Sequence, residues 1–213
     1  MLTGPRLTAL RKSSTLRPTL NALAWAWLFI ALPGGALAFQ EGTAVPRTTL
    51  STGRGKKIEI TGYAKAQGKR NLLLVFFRTG NCGLCVSQLI EFSQRHREIL
   101  EANAEILAVS VDDAIIQAQT SEKIESRYPI LLDPDAKTTK AFGVFNPQER
   151  LAFPATFVVG PDRRVLYRYV GKDLHDRPPF DRVMEVLRHY SGLAPTAQPN
   201  RQIARDAAPQ PKR

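Results

Sequence analysis

"NLLLVFFRTGNCGLCVSQL", residues 71–89, joins an uninterrupted apolar run to a closely spaced pair of cysteines. Asn71 to Phe77 shows no alternation and is bounded by polar residues, so it reads as a strand buried on both faces. From Cys82 the period changes. Cys85, Leu89, Phe92, His96 and Ile99 recur at three- and four-residue steps with charges between them, the pattern of an amphipathic helix. The joint between strand and helix holds Cys82 and Cys85, the only cysteines of the chain.

Working outward, "AEILAVSV" (104–111) is a second buried strand, followed by a polar, helix-compatible stretch to about Arg127. "YPILLD" (128–133) reads as a short strand and Lys137–Phe142 as a short helix. "ATFVVG" (155–160) and "VLYRYVG" (165–171) are strands joined by the turn residues Pro161-Asp162-Arg163. Phe180 to Tyr190 places Val183, Val186, Leu187 and Tyr190 on one helical face. This order predicts an α/β domain, a central mixed sheet with helices on both faces. The cysteines fall at the carboxyl end of a strand, where open α/β sheets build their sites.

The flanks bound the domain. Arg6, Arg11, Lys12 and Arg17 precede any acidic residue, and an apolar stretch follows that ends in Ala36-Leu37-Ala38. A basic segment, an apolar segment and an A-x-A site predict a secretory signal peptide over residues 1–38. Its uninterrupted apolar part, Ala22–Leu32, is shorter than the ~20 residues a membrane span needs. The expectation is therefore export across the inner membrane to the periplasm, with no stable membrane anchor after cleavage. Residues 39–56 read as a flexible lead-in and 57–193 as one domain. The tail, 194–213, is rich in Pro, Ala and Gln and reads as disordered. The formal charge of +11 is concentrated in the two ends. Residues 39–193 carry 22 basic and 18 acidic side chains, and no nucleic-acid-binding motif is present, so no nucleic-acid partner is expected.

Three readings compete for Cys82-Gly83-Leu84-Cys85. Half of a structural zinc site lacks its other ligands, because His96, His175 and His189 are scattered without ligand spacing. No metal or other cofactor is expected. Packing could explain Cys85 on the apolar face but not Cys82 at the helix start. A redox-active pair fits both the spacing and the expected export. So short a ring constrains little chain entropy, so its disulfide has small value as a staple and is better suited to exchange. With Asn81 as the helix cap, Cys82 would be the first helical residue, facing unpaired N–H groups that favour its thiolate. Cys82 would then attack, and the more buried Cys85 would resolve.

Together, "LLLVFFRTGNCGLC", "AEILAVSVDD", "YPILLDPDAKTTKAFGV" and "FPATFVVGPDRRVLYRYVG" resemble the thioredoxin-like superfamily. The closest branch is the redoxin and alkyl-hydroperoxide-reductase/thiol-specific-antioxidant group, over about residues 55–190. "HDRPPFDRVMEVL" is similar to the D-R-P segment and last helix of redoxin-like sequences. The resemblance implies a thioredoxin-like fold and matches Cys82 and Cys85 to the redox pair. It matches Pro154 to the proline held in cis opposite the pair, which would turn the backbone of Phe153 toward a substrate. Thr79 matches the T-x-x-C of peroxiredoxins, whose hydroxyl bonds thiolate and peroxide; a plain loop threonine is the other reading. Arg78 could lower the Cys82 pKa if it folds over the sulfur.

The chain also departs from both templates. Pro154 stands where peroxiredoxins carry an arginine two residues before the T-F of the late strand. Asn81 replaces the thioredoxin tryptophan, Gly83-Leu84 replaces Gly-Pro, and Phe76 stands where a buried acid is usual. Three functions stay open: an exported thiol–disulfide oxidoreductase, a peroxiredoxin-like enzyme reducing peroxides through Cys82, and a non-catalytic binding domain with an inert pair. The partners implied are a thiol or disulfide protein or a peroxide, with a separate reductant.

Overall fold

The computed structural model describes residues 39–193, so the expected signal peptide and tail lie outside the described residues. The apolar run at 71–77 is the middle of the sheet. Strand β3 (Asn71–Phe76) pairs parallel with β4 (Ala104–Ser110) and antiparallel with β8 (Ala155–Val159). Every residue of β3 is buried because alternate side chains enter two different cores. Leu73, Val75 and Phe77 enter one; Leu72, Leu74 and Phe76 enter the other. A strand that meets water on neither face has no reason to alternate polar and apolar residues.

Around this centre the strand order is β2 (Lys57–Glu59), β1 (Thr49–Ser51), β5 (Ile130–Leu132), β4, β3, β8 and β9 (Val165–Val170). Strand β5 (Ile130–Leu132) runs parallel to β4, and β9 (Val165–Val170) antiparallel to β8, giving the mixed sheet expected. The first core is closed by α2 (Gly83–Gln94), α3 (His96–Glu101) and α6 (Phe180–Tyr190), through Leu89, Phe92, Ile99, Val183 and Leu187. The second lies under α1 (Tyr63–Ala66) and α5 (Lys137–Ala141), with Ala64 and Phe142 buried in it. Helix α4 (Ala114–Lys123) starts at Asp113, whose carboxylate accepts the N–H groups of Ile115 and Ile116, each at 2.9 Å. Those are donors that a helix start otherwise leaves unpaired.

Three elements differ from expectation. Residues 39–56, expected to be flexible, are bonded to the sheet instead. The N–H groups of Gly42 and Val45 donate to Val165 and Arg163, and Val45 is fully buried in the second core. Farther on, β1 (Thr49–Ser51) pairs with both β2 (Lys57–Glu59) and β5. Backbone pairing carries this segment, so few apolar side chains mark it. The long helix expected from Cys82 onward breaks at Arg95, which leaves helical geometry at ψ 16°. The Arg95 guanidinium bonds Glu98 and Asp181 and lies 3.7 Å from the centre of the Phe180 ring, tying α3 to α6. Finally, a small hairpin, β6 (Phe145–Asn146) with β7 (Leu151–Ala152), stands between α5 and β8.

Candidate active site

Beyond β3 the chain makes a tight turn over the carboxyl ends of β3 and β4. The Thr79 carbonyl accepts the Cys82 N–H at 3.1 Å, and the Thr79 hydroxyl accepts the Asn81 N–H at 3.3 Å. The buried Gly80 N–H donates to the buried Asp112 carboxylate at 3.0 Å. Gly80 has no room for a side chain, because a Cβ there would lie 1.7 Å from Thr120 Oγ1. Asp112→Ala would strip the Gly80 amide of its acceptor. The expected cost is about 1–3 kcal/mol, read as a lower urea midpoint; an unchanged midpoint would show that the turn holds without Asp112.

This turn leaves Cys82 extended (φ −89°, ψ 109°), so Cys82 itself is the helix cap, and Asn81 is not. Its sulfur accepts the Cys85 backbone N–H at 3.3 Å. The expected benefit of the helix start survives in another form: the Cys82 sulfur is itself the cap atom. The Cys85 sulfur lies 2.6 Å from Cys82 Sγ, and both residues are free thiols. Cys85 is fully buried against Leu89 and Phe92, and Cys82 is only partly covered, as the helix geometry implied.

The surroundings push the two thiols apart. Burial works hardest against the Cys82 thiolate. Donation from the Cys85 thiol and N–H, with the positive charges of Arg177 and Arg78, outweighs it, so the Cys82 pKa falls below that of an ordinary thiol. Burial raises the Cys85 pKa, as does its bond to Cys82; the Arg78 backbone N–H and Arg177 oppose this without cancelling it. The two thiols thus differ in acidity, with the thiolate favoured at Cys82 and the protonated thiol at Cys85. A slow alkylating reagent applied to the reduced protein should therefore label Cys82 first, read by peptide mapping; label on Cys85 first would reverse the roles.

The remaining expected site residues divide. Pro154 lies just before β8, next to Ala155, which pairs with Phe76, so it sits beside the end of β3. Phe153 and Pro154 line a cleft of ≈ 180 Å³ with Arg78, Glu149, Lys172 and Leu174. Thr79 is not among the residues lining it, and its hydroxyl is engaged by Asn81. Arg78 does approach the pair, but its guanidinium is held by Glu149 of the β6–β7 hairpin at 2.8 Å. Arg177, in the loop between β9 and α6, was not singled out in the sequence. It donates to the carbonyl of Leu84, between the two cysteines, at 2.6 Å. Its signal was the D-R-P segment, which gives a likeness but no contact.

The chain matches the AhpC/TSA family over residues 42–168. It is 30% identical over 130 residues to alkyl hydroperoxide reductase E of Mycobacterium tuberculosis, covering 60% of this chain and 82% of that protein. To a chloroplastic 2-Cys peroxiredoxin of Hordeum vulgare it is 31% identical over 99 residues, covering 43% of this chain and 47% of that one. The chain thus spans less than half of the barley protein. Among solved structures, the peroxidoxin BcpB of Mycobacterium tuberculosis aligns with a TM-score of 0.62 at 22% identity, covering 71% of this chain and 97% of that one. Mycobacterium bovis AhpC aligns with a TM-score of 0.62 at 20% identity, covering 77% and 99%. These two likenesses show the thioredoxin-like fold. The family match, which takes in the strand, the turn and both cysteines, shows that the chain belongs to the AhpC/TSA family.

Proposed function

We propose that this member of the AhpC/TSA family is an exported oxidoreductase that exchanges thiols and disulfides through Cys82 and Cys85. The observation that carries the proposal is the contact between the sulfurs, 2.6 Å, with the Cys85 N–H also on Cys82. The Cys82 thiolate attacks one sulfur of a partner disulfide. A new S–S bond forms as the partner's own breaks, and the departing partner sulfur takes up a proton. Cys85 then gives up its proton and attacks Cys82, releasing the reduced partner and leaving a Cys82–Cys85 disulfide. A separate reductant restores the dithiol. Because Cys85 already lies against Cys82, the second attack needs no rearrangement of the helix. The Phe153–Pro154 edge and its cleft would receive the partner's backbone, with Thr79 holding the turn beside it.

A second reading shares the chemistry of the pair and draws on the peroxide-reducing relatives. Here the Cys82 thiolate attacks a peroxide oxygen, an S–O bond forms as the O–O bond breaks, and the leaving oxygen is protonated to an alcohol or water. Cys85 displaces water from the resulting sulfenic acid, giving the same disulfide. The two readings separate when reduced protein is mixed with hydrogen peroxide, an organic hydroperoxide and a disulfide-bonded protein. Rapid exchange with the protein disulfide and inertness to both peroxides supports the first; rapid peroxide loss supports the second. Inertness to all three would leave a binding domain with a silent pair. Export is tested by fractionating cells that express the full chain: protein retained in the cytoplasm would overturn it.

A further inference from the structure

The loop that follows β9, residues 171–179, contains few apolar residues, yet it is closed upon itself. It is rooted at Gly171, whose N–H donates to the Pro154 carbonyl at 2.8 Å. A Cβ on Gly171 would lie 2.1 Å from the Asp176 carbonyl, so only glycine lets the loop fold back this closely. Asp173 accepts the N–H groups of His175 and Asp176 at 2.7 and 3.0 Å. The Asp176 carboxylate accepts the Tyr169 hydroxyl and, at 2.9 Å, the Lys172 N–H. Pro178 and Pro179 then fix the approach to α6. What this folded loop presents is Arg177.

The two η-nitrogens of Arg177 donate to backbone carbonyls, Nη1 to Leu84 at 2.6 Å and Nη2 to Leu174. Its Nε is buried and has no acceptor among the described residues. Among the described residues Arg177 is in no ion pair, whereas Arg78, the other cation near the cysteines, is paired with Glu149 at 2.8 Å. A carbonyl can fix a guanidinium in place but does not neutralise it. A cation fastened to the Leu84 carbonyl therefore keeps its full charge within the turn that bears both sulfurs.

We infer that Arg177 is a positioning residue for Cys82: it fastens the post-β9 loop to the CxxC turn and holds an unneutralised positive charge beside the attacking sulfur. The inference rests on Cys82 being the attacking thiol. Two sets of groups bear on that sulfur: Cys85 within the turn, and the charged residues around it. The latter are Arg78, paired with Glu149 of the β6–β7 hairpin, and Arg177, whose own loop also carries Lys172, Asp173, His175 and Asp176.

The test is the pH dependence of iodoacetamide alkylation of the reduced protein, with the labelled cysteine mapped, for wild type, Arg177→Gln and Arg177→Lys. In Arg177→Gln the midpoint should move up and labelling of Cys82 at pH 6.5 should slow about three- to tenfold, while the limiting rate at high pH stays put. Arg177→Lys, which keeps the charge and loses the fork, should recover part of that shift. An unmoved midpoint in Arg177→Gln overturns the inference. So does an equal shift in both variants, since the loss would then be one of loop closure. Should Arg177→Gln fail to fold, wild type titrated at low and high salt decides: screening an unneutralised cation must raise the midpoint, and a salt-invariant midpoint overturns the inference. Label on Cys85 in wild type would instead overturn the order of attack, leaving the two failures distinct.

Discussion

Cys85→Ser is expected to hold the natural partner in a stable mixed disulfide, while Cys82→Ser holds none and is reduced to background turnover. The asymmetry follows from the site. Cys82 is partly exposed, caps α2, accepts the Cys85 N–H, and has its pKa held below that of an ordinary thiol. Cys85 is fully covered, and burial holds its pKa up. An incoming disulfide can meet only the first sulfur, and once joined to it can be released only by the second. Serine at 85 cannot complete that step, so the complex persists until an external thiol cuts it. Serine at 82 removes the nucleophile and leaves a thiol no partner can reach. Non-reducing electrophoresis of cells expressing each variant reads the result. Equal trapping by both would mean that either sulfur can attack, and the burial argument would fail.

Phe142→Ala is expected to have the largest effect on stability, about 3–5 kcal/mol for removing a buried phenylalanine ring. Phe142 is 1% exposed and lies between three other rings, with centroids 4.8 Å from Phe39, 4.9 Å from Phe76 and 5.1 Å from Phe157. Two of these contacts are edge to face, an arrangement that adds to simple burial. The cluster brings together the lead-in segment, β3, β8 and the end of α5, none of which can close over the gap alone. Against a total stability of about 5–15 kcal/mol, the loss is a large share. It should appear as a lower urea midpoint with an unchanged slope; a loss below about 1 kcal/mol would mean the cluster relaxes into the space.

The parts of the fold that were legible share one property: their side chains carry the signal. β3, β4 and β8 are buried on both faces, so they read as largely apolar runs without alternation, and α6 shows its inward stripe of Val183 and Leu187. The strands β1 and β2 were invisible because each is three residues long, and each turns mainly one apolar residue inward, Leu50 and Ile58. Their stabilisation is backbone pairing, which composition does not record. The break at Arg95 depends on Asp181 and Phe180, far along the chain, and no local breaker residue marks it. At the site, the cysteines and Pro154 were legible because spacing and likeness both point to them. Asn81 misled because asparagine is a good cap by preference, yet here the Thr79 turn moves that place one residue on. Arg177 was hidden for a simpler reason: its bond to Leu84 spans 93 residues.

The sheet and the loop that meet at the cysteines differ in how often they open. Amides of β3 are paired on both flanks and lie between two cores, so their hydrogens exchange with solvent only when the whole domain unfolds. The loop at 172–175 is exposed, and its bonds are largely its own, so it can open far more often at little cost. The Leu84 carbonyl sits on the boundary, with a helix anchored to the slow part on one side and a guanidinium from the fast part on the other. On warming, the clasp should be lost many degrees before the strand. The thiolate would then fade as a nucleophile in a protein whose sheet is still intact.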